Sequence, residues 1–265
     1  MYYYLVNRKN FDLTIVVMLF IIAAIFSLIF NLKPLMVAIL TLLIPSLYLL
    51  CRKKENLLKI VIAVIVFGGM FGFFFDFIVT YNKGWIVSDL VIPYRLFGFY
   101  PIFDDILGFM LMTLFIIVFY EHFLDDYKLS TVSPNIWKAI TPALIISVLM
   151  LILYIIEPNL LKIPYIYLVT GLLAIIKLVS VGVSKKKFLI KFLYISIFFF
   201  FVWFTLELIC LANGGWYFPG QYVGEVTMGN LMFPLEELIF WFMLYSATIV
   251  AFYEYYEDSL SVTGR

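Results

Sequence analysis

The chain has 265 residues, a net charge of +1, 65% hydrophobic and 13% charged side chains. Soluble domains carry about 45–50% and 25%, so this composition belongs in a bilayer. Eight spans of about 20 residues use roughly 160 positions and leave no room for a separate soluble domain. The near-neutral balance does not point to a nucleic-acid partner, and none is expected. Two cysteines, Cys51 and Cys210, suggest neither a disulfide framework nor a thiolate metal site.

Arg8 and Lys9 precede an apolar stretch without a clear cleavage pattern, which reads as a retained first helix. In chain order the apolar runs are 11 to 31, 34 to 51, 58 to 81, 101 to 121, 136 to 156, 163 to 183, 188 to 212 and 232 to 254. They are long, continuous and lack period-two alternation, so the expected fold is an all-α polytopic membrane helix bundle. Arg8, Lys9, Arg52, Lys53, Lys54, Lys59, Lys128, Lys138, Lys185, Lys186, Lys187, Lys191 and Arg265 fall on one side, against Lys33, Lys83, Arg95 and Lys162 on the other. The positive-inside rule then places both termini in the cytoplasm. Lys177, inside the sixth run, can extend its ammonium to the interface.

The chain is internally duplicated, with halves at 1–130 and 131–265. Asp76 leads through Asn82 and Gly84 to Trp85, and Glu207 leads through Asn213 and Gly215 to Trp216 at the same spacing. Beyond each tryptophan, the segments from Pro101 and Pro234 share nine of 21 aligned positions. That alignment pairs Asp104 with Glu237, sets Glu236 against Phe103, and sets Asp105 against Leu238. Four spans per half predict two parallel four-helix repeats about an axis along the membrane normal.

The acids follow the duplication. A carboxylate at mid-bilayer costs about 2.5 to 3.5 kcal/mol, so such groups face a cavity, a partner or water. Capping by the helix dipole competes as an account of Asp104, Asp105, Glu236 and Glu237, most of all for the second acid of each pair. It does not apply to Asp76 and Glu207, which lie near carboxyl ends, six residues or about 9 Å before their asparagines. These two acids are expected at an interior site. Helix direction puts all the acids in the outer half of the bundle, where they can meet. Apolar surroundings favour the neutral carboxyl, which can donate a proton. Trp85 and Trp216, with Asn82 and Asn213, are the candidate substrate-binding residues, since ring faces stabilise cations.

The set Glu207, Gly215, Trp216, Phe218, Tyr222 and Gly224, followed by Pro234-Leu235-Glu236-Glu237 and Phe240, resembles the integral-membrane lycopene cyclases of the fused and heterodimeric type, whose repeats carry a Pro-x-Glu-Glu element. The first half departs from that pattern, with Pro101-Ile102-Phe103-Asp104-Asp105 and no Tyr-x-Gly loop. The resemblance implies an isomerase of the intramolecular-lyase class that cyclises the end of a linear carotenoid without cofactor or metal. It implies a polyene or isoprenoid substrate, Glu236 and Glu237 as candidate proton donors, and Asp104, Asp76 and Glu207 as bases or cation stabilisers. A carotenoid hydratase, a proton-coupled carrier and a noncatalytic lipid-binding relative are the alternatives. Other motifs fail. The arginine of CAAX-type proteases is replaced by Trp241, and Leu107 and Gly108 interrupt an aspartate-rich magnesium motif. His122, the only histidine, is read as an interfacial residue.

Overall fold

The computed structural model describes residues 2–52, 57–95, 98, 100, 102–125, 136–184 and 187–257. Lys53, Lys54, Lys128, Lys185, Lys186, Arg265 and Pro101, which entered the charge and repeat readings, lie outside the described residues. Among the described residues, eight helices are long and apolar enough to cross a membrane, and they make an all-α polytopic membrane bundle. They are α1 (Tyr2–Ile29), α2 (Pro34–Arg52), α3 (Leu57–Tyr81), α4 (Ile102–Phe123), α5 (Trp137–Ile156), α6 (Ile166–Ser184), α7 (Lys187–Ala212) and α8 (Glu237–Glu254). Helices win because lipid offers no hydrogen bonds, so each span must satisfy its backbone internally. The polarity is that of a membrane protein. Ile29, Ile145, Leu149, Ile156, Val183 and Phe201 face outward, whereas Asp76, Glu207, Glu237, Lys59 and Glu121 are buried.

The eighth helix, entered through a first turn at Leu235, begins about three residues later than the hydropathy suggested. Leu231–Pro234 forms a strand (β4) paired antiparallel with Glu225–Met228 (β3), and Gly229 turns the hairpin at φ +62°. A second small sheet joins the halves: Ile86–Val87 (β1) pairs with Trp216–Tyr217 (β2). β1 follows Trp85 directly and β2 begins at Trp216 itself, so the duplicated loops hold one another.

The halves are interlocked. Helix α1 packs on α7, and α5 packs on α3, each against the opposite repeat. Asn213 Nδ2 donates to the carbonyl oxygens of Ser27 (3.2 Å) and Leu32 (3.0 Å) at the α1–α2 turn. Asn82 does the same for the α5–α6 connection, donating to Leu161 O (2.8 Å) and accepting from Ile163 N–H (2.7 Å). Two glycines allow close approach at the same level. A methyl on Gly215 would stand 2.5 Å from Pro34, and one on Gly84 would stand 2.9 Å from Ile166.

Helices α2, α3 and α8 contain wider π-helical turns at Ile39–Leu43, Val64–Met70 and Glu237–Tyr245. The last of these sets how the two repeats correspond at the acids. A π turn accommodates one extra residue without ending the helix.

Candidate active site

Asp76 and Glu207 sit on the last turns of α3 and α7, and each is gripped by the tryptophan nine residues later. Trp85 Nε1–H donates to Asp76 Oδ1 at 2.6 Å, and Trp216 Nε1–H donates to Glu207 Oε1 at 2.9 Å. The chain can fold back this sharply because left-handed residues follow the helices, Lys83 at φ +58° and Gly214 at φ +66°. Both acids are buried in helix interiors near the loop end of the bundle.

The adjacent acids of α4 and α8 divide their work. Asp104 clamps the preceding loop, accepting from Val91 N–H (2.6 Å) and Ile92 N–H (3.0 Å). Glu236 does the same through Val223 N–H (2.7 Å), and the spacing to Val91 and Val223 is 13 residues in both repeats. The second acids turn inward. Asp105 lies beside Asp76, and Glu237 lies beside Glu207 with the Tyr167 hydroxyl close to it. Among the described residues, Asp76 Oδ2, Asp105 Oδ2 and Glu237 Oε2 are buried without a hydrogen-bond partner.

This geometry corrects the sequence alignment. Asp104 corresponds to Glu236 and Asp105 to Glu237, one position away from the expected register. The first acid of each pair, and not the second, serves the helix start and its loop. At the far end the original register returns, since Tyr120-Glu121 and Tyr253-Glu254 still correspond. The π turn from Glu237 to Tyr245 absorbs the extra residue between these two levels.

Four of these acids border a cavity of about 100 Å³ between the repeats. Its wall includes Glu207, Glu237, Asp104 and Asp105, with Trp85, Trp216 and Trp241 and a floor from α2. Asp76 and Glu236 are not part of that wall. Trp85 and Trp216 stand 5.8 Å apart, and Trp241 lies 5.5 Å from Phe109, so indole and phenyl rings share the lining with the aliphatic side chains of α2. Asn82 and Asn213, expected at a substrate, are spent on the connection latches and lie outside the wall.

Two phenols near the acids are held neutral. Burial pushes the Tyr100 hydroxyl well above its usual range, and the negative charge of Asp76 adds to this. Tyr222 is also raised, first by burial; Gly220 N–H opposes the shift, and Glu237 adds to it. Its hydroxyl donates to Gly84 O at 2.6 Å, tying the loop of one repeat to the turn of the other.

A second duplicated cluster escaped the sequence reading. Lys59, counted there among the charges of one membrane side, is buried and pairs with Glu121 at 2.8 Å. The Tyr253 hydroxyl donates to Glu121, and the Tyr120 hydroxyl donates to Glu254, each across the repeat boundary. Lys59 lies 4.8 Å from the Tyr253 ring centre, and Lys191 lies 5.7 Å from that of Tyr120. The recurring Tyr-Glu pair was the available signal. His122 meets Asp12 at 3.0 Å, where Arg52 (2.9 Å) and Tyr48 (2.7 Å) also converge. Among the described residues no group of three His, Cys, Asp or Glu side chains is arranged to hold a metal ion.

No protein-family model, curated protein or solved structure matches the chain.

Proposed function

We propose that the protein is an intramembrane cyclase acting on the end group of a linear carotenoid of the lycopene type. The observation that carries this reading is the apolar chamber between the repeats, walled by buried carboxyl groups and indole faces. Acid-initiated cyclisation needs a proton donor, a base, stabilisation of a cation and exclusion of water.

In this reading a proton held between Glu207 and Glu237 passes to the terminal alkene. A C–H bond forms and a tertiary cation develops. The neighbouring double bond attacks it, closing the ring, and a ring proton leaves to a carboxylate of the wall, the role this reading gives to Asp105. The product is an isomer of the substrate. Trp85, Trp216 and Trp241 present ring faces to the transient charge, an interaction of about 2 kcal/mol or more where water is excluded. Glu236 and Asp104 become positioning residues that hold the loops over the chamber. The charge bias toward the end bearing the termini supports a cytoplasmic placement for both of them.

The test is expression in cells that accumulate lycopene. Cyclic carotenoids are expected, and Glu237→Gln should lower their yield at least about tenfold, the lower range of acid catalysis being about a hundredfold. Unchanged pigment from a folded, inserted wild type refutes the reading. Hydroxylated pigment would show that water reaches the cation and would make the protein a hydratase. Proton-driven solute uptake in liposomes without pigment conversion would make it a carrier.

A further inference from the structure

The two repeats are mirrored at the acids but not beside them. Three positions after the inner acid of α4, Asp105, comes Gly108, which borders the chamber and is partly exposed. A methyl group built there would meet nothing within 4 Å. Three positions after the inner acid of α8, Glu237, comes Phe240. Its ring lies on Gly171 of α6, so close that a methyl on that glycine would stand 2.3 Å from it.

The floor differs in the same sense. Pro34 and Ile166 begin α2 and α6 and press against the mirrored glycines, Gly215 and Gly84. The next residues are Leu35, which lines the chamber, and Tyr167, which is 2% exposed and reaches toward Glu237. A glycine and a leucine thus stand on the α2–α4 side where aromatic rings fill the α6–α8 side.

We infer that the protein has a single lateral portal, between α2 and α4 past Gly108, through which one apolar end of a methyl-branched chain enters from the bilayer, and that Phe240 closes the symmetry-related portal. An apolar chain dissolved in lipid has no reason to cross an aqueous mouth, and a partly exposed glycine with open space at its Cβ leaves a gap in the chamber wall. The gap opens beside Asp105 and faces Glu207 and Glu237 on the same wall, so a chain end entering there meets the acids of the cyclase reading. The ligand class rests on the cyclase reading above; the place of the opening does not.

Xenon under pressure probes this directly, because it enters apolar cavities without needing a reaction. Crystals of the full chain grown in a lipid phase should show xenon beside Gly108 and none at Gly171. Gly108→Phe should lose that site, and Phe240→Gly should gain one at Gly171. The double substitution should move xenon from one side to the other. Gly108→Leu serves if the phenylalanine variant does not fold. Xenon at Gly171 in the wild type, none beside Gly108, or retention in Gly108→Leu overturns the inference. In lycopene-accumulating cells the Gly108 variants should lose conversion, and full conversion would refute the portal while sparing the cyclase. Absence of conversion in wild type, with the xenon pattern as expected, would refute the cyclase and spare the portal.

Discussion

Replacing Lys59 with methionine removes a buried ammonium while keeping most of the side-chain volume. Lys59 and Glu121 are 2.8 Å apart, with side-chain exposures of 0% and 3%. At that separation an effective dielectric of about 20 gives roughly 6 kcal/mol of attraction, most of it offset by the cost of taking both ions out of water. The intact pair therefore contributes little net stability. Breaking it is different, because Glu121 keeps its burial and loses its cation, at a cost of about 3–5 kcal/mol. Lys59→Met/Glu121→Gln abolishes the stranded charge and leaves an amide that can still meet the Tyr253 hydroxyl, so it should recover most of the loss. Unfolding in mixed micelles containing increasing denaturing detergent, followed by tryptophan fluorescence, measures both variants. A single variant within about 1 kcal/mol of wild type, or a double variant no more stable than the single, would refute the buried-pair account.

Gly68→Ala should destabilise by about 1–3 kcal/mol in the same assay, since its methyl would stand 2.8 Å from Met110 Cα and force α3 away from α4. Tyr222 links pH to folding. Its native pKa lies above the unfolded value of about 10, so its contribution is full below that pH and fades as pH rises through the native value. Stability should fall above about pH 10, and Tyr222→Phe should show a shallower alkaline decline in unfolding midpoint while being weaker at neutral pH through loss of the bond to Gly84. An identical alkaline slope in the two proteins would contradict this.

The spans and the repeat were legible because both are written in local patterns. An apolar run of membrane length leaves the backbone little choice, and the spacing from Asp76 to Trp85 and from Glu207 to Trp216 survives whatever the helices do around it. Burial of these acids was also readable, since nothing at a helix carboxyl end favours a negative charge. The loop hairpin before α8 was missed because Leu231-Met232-Phe233 is as apolar as a span.

Other features had no signature along the chain. Whether Asp104 answers to Glu236 or Glu237 depends on helix turns, since one residue rotates a side chain by about 100°. The π turn that inserts this residue in α8 responds to packing, not to composition. The asparagines likewise found partners on the opposite repeat, more than seventy positions away in one case and more than one hundred and eighty in the other. Amino-acid order alone thus determined which segments enter the bilayer and that they come twice. Only the assembled helices decided which acid meets which and on which flank a gap remains, because those outcomes depend on side-chain direction and on neighbours distant in the chain.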